Sequence, residues 1–198
     1  GWGDRLCGFF ASKKTEMYIG CDPNPNTFEV YKKQCIEYEK ILTGNKPTIT
    51  ETEDKFMSVG EKRVIIYRSG AEDIPYDKFP PVDCAFTSPP YFSTETYNKG
   101  GEHEEDQSWS KFSEYESWRD DFFIPVSKKS FEVLSDDGHL LINIMNPKVK
   151  GKMFPSCDEV VDELREHFKG QIGMRIMQRP QSSTAFLEKW SDVKGEND

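Results

Sequence analysis

The sequence predicts an α/β domain with a largely parallel sheet. Two features point to it. Short apolar runs alternate with segments of helical period, and two of the runs, Arg63–Arg68 and Val82–Thr87, are the compact, β-branched or largely apolar kind that suits buried strands. A length of 198 residues is enough for one domain with a real core, so residues 1–198 are read as one domain.

Taken along the chain, Leu6–Ser12 is small and apolar enough for a helix packed on the sheet, and Glu16–Cys21 is a short strand ending at Asp22. Pro23-Asn24-Pro25-Asn26 turns the chain, with Asn26 as N-cap of a helix. Phe28, Tyr31, Cys35, Tyr38 and Leu42 recur at helical spacing until Gly44 stops it. Lys46–Glu61 has weak periodicity and reads as a connection or short helix. Arg63–Arg68 is the next strand, closed by Ser69-Gly70-Ala71-Glu72-Asp73, and Val82–Thr87 is a buried strand running into Ser88-Pro89-Pro90-Tyr91.

Thr94–Trp109 is polar, with Gly100-Gly101 and an acidic cluster, and reads as a mobile loop within a substrate-side segment, 92–112. Tyr115–Leu134 carries Trp118, Phe122, Val126 and Phe131 at roughly helical intervals, kinked or split by Pro125. Asp136-Asp137-Gly138 turns into a strand over His139–Met145. Asp158–Phe168 is an amphipathic helix and Ile172–Met177 a further strand, within a C-terminal part of the sheet and tail, 147–198.

The formal net charge is −9, from 35 acidic and 26 basic residues. This is the wrong sign for gripping phosphates by overall charge, so any nucleic-acid contact has to be local, or supplied by a partner subunit or further segment. Lys148, Lys150, Lys152, Arg175 and Arg179 either touch phosphates or solvate the surface. Five cysteines without a C-x-x-C pair suggest neither a zinc site nor a disulfide framework, and fit a reducing, intracellular compartment. No apolar run reaches the roughly 18 to 20 residues of a membrane span. His103, His139 and His167 lack metal-ligand spacing, so no metal is expected.

The chemistry concentrates at the Pro-Pro turn. Two prolines after Ser88 remove backbone donors and fix φ, so carbonyl oxygens are presented rigidly at a strand's carboxyl end. The exocyclic amino group of cytosine or adenine is a poor nucleophile because its lone pair is conjugated into the ring. Hydrogen bonds from its N–H groups to the Ser88 side chain and the Pro89 carbonyl would orient it and favour the pyramidal form. Tyr91 offers a flat face for a base extruded from its stack. Phe92 and Tyr97 are candidates to line the base pocket, although aromatic residues beside a buried strand are often packing residues.

Three further loops sit at expected element ends. Gly1-Trp2-Gly3-Asp4-Arg5 is a Gly-containing loop before a helix, which lets backbone approach a ligand. Asp22 is placed to accept from ribose hydroxyls, or to serve its own turn. Glu72 and Asp73 can accept from an adenine amino group, with Ala71 small enough to let the ring lie against backbone.

Gly1–Arg5, Gly20-Cys21-Asp22-Pro23-Asn24, Ser69–Asp73 and Thr87-Ser88-Pro89-Pro90-Tyr91 resemble, in that order, the cofactor and catalytic motifs of class I amino-methyltransferases acting on DNA. The resemblance covers about residues 1–146. It implies a Rossmann-like fold, S-adenosyl-L-methionine as cofactor and DNA as substrate, with Gly1, Trp2, Gly3, Asp22, Pro23, Ala71, Glu72, Asp73 and Thr87 on the cofactor side and Ser88, Pro89, Pro90 and Tyr91 as the catalytic turn. A serine before the two prolines is more typical of cytosine N4 than of adenine N6 methylation. Family members have a strand immediately before the Gly-rich loop and this chain begins inside the loop, so the expected sheet lacks that first strand. An RNA or other amino-group substrate, and a non-catalytic cofactor-binding subunit, are the alternatives.

Overall fold

A computed structural model describes residues 3–92, 100 and 104–168. The chain divides into two units, Gly1–Leu164 and Arg165–Asp198. In the second, the described residues form a short 3₁₀ turn, Arg165–His167. Gly1, Trp2, Tyr97 and the expected strand Ile172–Met177 lie outside the described residues.

The first unit opens with α1 (Asp4–Ala11), which leaves Gly3 at φ 94°. That left-handed backbone favours glycine, and a Cβ there would also have to displace the flexible end of the Gln34 side chain. Next come β1 (Met17–Cys21) and α2 (Pro25–Thr43). The N-cap of α2 is Asn24, whose side chain accepts from the Asn26 amide at 3.0 Å, and not the expected Asn26. Pro25, with φ preset and no amide to satisfy, fits the first helical turn, which moves the start two residues earlier. Gly44 ends the helix in the left-handed conformation, as its position suggested.

Lys46–Glu61, expected as a connection or short helix, instead contributes two strands, β2 (Thr48–Glu51) and β3 (Lys55–Val59). They pair antiparallel with each other, and β3 pairs antiparallel with β4 (Arg63–Tyr67), which runs parallel to β1. The resulting order is β1-β4-β3-β2. Only Phe56 and Ser58 of β3 are buried, which is why this edge shows little apolar signal in sequence.

The second sheet is a parallel pair of β5 (Val82–Thr87) and β6 (Leu134–Ile142). The expected turn at Asp136-Asp137-Gly138 lies inside β6 as an irregularity, since the pairing passes from Val82 with Leu134 to Cys84 with His139. A short antiparallel hairpin, β7 (Lys148–Val149) and β8 (Lys152–Met153), comes next. The expectation of one largely parallel central sheet is therefore corrected to a mixed arrangement. Among the described residues no strand pairs with the outer edge of β1 or of β5, so the two parallel ladders fall in separate sheets.

Between β5 and β6 lie α3 (Ser108–Lys111), α4 (Tyr115–Ser117), a π-helical turn (Trp118–Phe123) and α5 (Ile124–Glu132). Pro125 neither stops nor splits the rod. It falls in the first turn of α5, where its missing amide costs least, and the π turn before it absorbs the change of pitch. α6 (Ser156–Leu164) closes the unit.

Two apolar centres hold these elements. Leu6, Phe9 and Phe10 of α1 meet Phe28, Tyr31 and Cys35 of α2 and Phe56, Val64 and Ile66 of the mixed sheet. Each fully buried side chain of this kind contributes about 1.5–3 kcal/mol. The second centre is aromatic, built on Tyr115, Trp118, Phe122 and Phe123, and it lies under the Pro-Pro turn. Arg5 of α1 stacks on Phe86 of β5, its guanidinium 4.6 Å from the ring centre, linking the first helix to the second sheet.

Candidate active site

Both parallel ladders are pinned at their carboxyl ends. The Asn143 amide donates to the Thr87 carbonyl at 2.9 Å, and the Asp22 amide to the Tyr67 carbonyl at 3.1 Å. The residues just beyond each strand therefore emerge at fixed places: Ser88 after β5, Asp22 after β1, and the 3₁₀ turn Ala71–Asp73 after β4.

At the Pro-Pro turn Pro89 is buried, while Ser88 and Pro90 are half-buried. Among the described residues Ser88 makes no side-chain hydrogen bond, and Tyr91 makes neither a hydrogen bond nor a ring contact although its ring is buried. Phe92 is committed. Its ring packs edge-on against Tyr115 (5.5 Å between centres) and Phe154 (5.7 Å) and lies near Trp118 (6.1 Å). Phe92 is only 6% exposed, so here it seats the turn as an anchor.

That anchor is itself held. Tyr115 stacks on Phe154 at 4.2 Å and its hydroxyl donates to the Glu159 carboxylate, which also accepts from Arg119 at 3.0 Å. Burial, reinforced by the bond to Glu159, pushes the Tyr115 phenol well above its ordinary range, so it stays protonated. Its one proton is spent on Glu159, so the Ser156 hydroxyl, 3.0 Å away, is the donor of that pair.

The acidic candidates gather elsewhere at the strand ends. Asp22 is buried; one of its oxygens accepts from the Asn24 amide and the other from the Tyr31 hydroxyl, each at 3.0 Å. Burial first, then the Asp22 charge, raises the Tyr31 phenol, which keeps it a donor. Cys21 is pushed up to about 12 by burial and by the charges of Asp22 and Glu72, which places both carboxylates around one thiol. Pro23 is half-buried beside them.

Glu72 curls against Gly70, where an added Cβ would meet its carboxylate at 2.3 Å. One of its oxygens pairs with Lys111 at 3.1 Å, and the other is buried without a partner. Lys111 also approaches Asp73, at 3.7 Å, and Lys129 donates to the Glu72 carbonyl at 3.0 Å. Ala71 opens this turn, half-buried.

Lys111, Lys129, Tyr31 and Tyr115 carry no sign of these roles in the sequence. Lys111 and Lys129 lie 39 and 57 residues from Glu72 along the chain, and nothing local marks them as its partners. The helical rod joins the two halves of the site, since Trp118 at one end packs near Phe92 and Lys129 near the other reaches Glu72.

The orphaned Glu72 oxygen, an acceptor in want of a donor, suits the amino group of a nucleoside-type cofactor.

Among the described residues no helix is long and apolar enough to cross a membrane, and no cluster of His, Cys, Asp and Glu could hold a metal ion. Searches of curated proteins and of solved structures found no match. A family model described as DNA methylase, of the N6/N4 type, matches residues 82–191, from the first residue of β5 across more than half of the chain. The chain with an open Ser-Pro-Pro-Tyr turn at the end of β5 belongs to the N6/N4 DNA methylase family, whose members are DNA amino-methyltransferases.

Proposed function

We propose that this enzyme takes the methyl group of S-adenosyl-L-methionine and places it on the exocyclic amino nitrogen of a DNA base, cytosine N4 in preference to adenine N6, at the turn Ser88-Pro89-Pro90-Tyr91. The observation that carries the reading is the uncommitted state of that turn: the Ser88 hydroxyl has no hydrogen bond and the Tyr91 ring no ring partner among the described residues. A buried side chain left open in this way at a strand's carboxyl end suits a ligand.

The Ser88 hydroxyl and the Pro89 carbonyl accept the two amino N–H groups and turn the nitrogen lone pair away from the ring. Pro89 and Pro90 keep those acceptors from relaxing, because their φ angles are fixed. Tyr91 holds the flipped base by stacking, with Phe92 fixing the turn from beneath; Tyr97 belongs to the same base pocket by its place in the chain. The departing amino proton passes to an accepting oxygen of the turn and on to solvent.

On the other side, Asp22 with Pro23 takes the ribose hydroxyls, Glu72 and Asp73 the adenine amino group, Ala71 the ring face, and the Gly1-Trp2-Gly3 loop with Thr87 the remaining chain of the cofactor. The bound cofactor supplies a sulfonium-activated methyl carbon, open to direct in-line attack. Preference for cytosine rests on the serine that precedes the prolines.

Ser88→Ala and Tyr91→Ala should each lower turnover by about 100-fold or more, the scale for losing one preorganised transition-state contact, while calorimetric binding of the cofactor persists. Loss of cofactor binding in both would overturn the roles. Digestion of the methylated product and mass spectrometry for N4-methylcytosine against N6-methyladenine, with DNA and RNA offered in parallel, decides base and polymer.

A further inference from the structure

A protein carrying net charge −9 has to approach a polyanion somewhere, and one surface element has the right sign. Met145–Met153 holds three lysines and no acidic residue. Lys148, Lys150 and Lys152 are all exposed, and none has a carboxylate partner among the described residues.

They stand on the hairpin β7–β8, where Lys148 pairs with Met153 and Val149 with Lys152. Lys150 and Gly151 form its two-residue tip, both at positive φ (49° and 84°), the tight turn whose twist matches the strands. Lys152 lies over the Phe154 ring at 4.7 Å. The base is rigid: Pro147 is fully buried, the Phe154 amide closes onto the Pro147 carbonyl at 3.0 Å, and the Cys157 amide donates to the Asn146 side chain at 2.9 Å. Phe154 is also one of the rings that seats Phe92, so hairpin and Pro-Pro turn share one aromatic anchor.

We propose that this hairpin is the enzyme's grip on the DNA backbone, with Lys148, Lys150 and Lys152 contacting phosphates that flank the target base. The position of the base rests on the proposed role of the Ser88 turn; the charge and the rigid mounting do not. Phosphate contacts carry no sequence information but fix register, and lysines mounted on the same aromatic cluster as the turn would set the distance from backbone to extruded base. A mobile charge run would supply attraction without that register.

The test compares two variants of the full chain that remove equal charge. Lys148→Gln/Lys150→Gln/Lys152→Gln changes the hairpin, and Lys13→Gln/Lys14→Gln/Lys46→Gln changes three other exposed lysines. Binding of a duplex of about 25 base pairs, long enough for a specific protein–DNA interface, is monitored by fluorescence anisotropy across a salt series, with thermal melting as the folding control. The hairpin variant should bind about tenfold or more weaker at about 0.1 M salt and lose about two to three units from the slope of log K against log salt. The control variant should change by less than about threefold, because its lysines lie off the proposed contact.

Equal losses in the two variants, unchanged affinity in the hairpin variant, or no duplex binding by the wild-type protein would each overturn the proposal. Ser88→Ala separates it from the reading of the turn. A hairpin variant that binds normally beside an inactive Ser88→Ala defeats the hairpin alone. A weakened hairpin variant beside a fully active Ser88→Ala defeats the turn alone.

Discussion

Lys62 is 7% exposed and its ammonium group is spent on the end of α1. It donates to the carbonyls of Phe9 (3.0 Å) and Thr15 (2.7 Å) and to that of Ser12, and lies 4.6 Å from the centre of the Phe9 ring. A cation there satisfies the carbonyls that a helix terminus leaves open and meets the negative end of the helix dipole. Lys62→Met keeps the stem and removes the donors, so it should cost about 1.5–3 kcal/mol in urea unfolding, the scale for losing hydrogen bonds from a charged donor. A loss below about 1 kcal/mol would mean that water replaces the ammonium. Nothing in the local sequence Gly60-Glu61-Lys62-Arg63 separates this lysine from a solvated one, because its acceptors come from residues 53 and 50 positions earlier.

At the scale of elements, α2 is legible through its buried face, whereas β5, expected as a buried strand, is legible from its composition although none of its residues is buried. α2 can be read because Phe28, Tyr31 and Cys35 face the core at helical spacing, and the break at Gly44 agrees with its φ of 76°. Its start is set by chemistry the periodicity does not carry. Asn24→Ala should destabilise the protein by about 1 kcal/mol, the usual worth of an N-cap, while Asn26→Ala, exposed and inside the helix, should change it by less than about 0.5 kcal/mol. Chemical denaturation of the pair reads the boundary directly, and equal effects would move the cap. The β2–β3 strands escape a sequence reading because only Phe56 and Ser58 among their residues are buried, so tertiary pairing with β4 outweighs a weak local preference.

For the whole molecule, the buried acids with raised pKa values decide the response to pH. Burial pushes Cys35 and Cys21 up to about 12, and Tyr76 up to about 12. An unfolded thiol ionises near 9.0, whereas the folded one stays protonated until about 12. Above about pH 9 the unfolded chain therefore binds fewer protons than the native one, and stability falls as pH rises, by up to about 1.4 kcal/mol per pH unit for each such group. The lowered carboxylates, Glu51 beside Lys32 and Asp120 beside Arg119, are exposed and screened, so they contribute little on the acid side. The urea midpoint should hold from about pH 6 to 8 and drop steeply between about pH 9 and 11, and Cys35→Ala should make that drop shallower. A midpoint unchanged at about pH 10.5 would contradict the burial of these groups.

The sequence by itself determined the α/β class, the strand Val82–Thr87, the Pro-Pro turn at its end and the family resemblance, because rigid prolines after an apolar run are local facts. Tertiary structure alone decided that the parallel ladders lie in two sheets, that Phe92 is an anchor, that Lys111 and Lys129 converge on Glu72, and that Lys148, Lys150 and Lys152 stand on a paired hairpin. These depend on partners that lie far away in the chain or on the other strand of a turn. Periodicity records which face of an element is buried; it does not record what is packed against it.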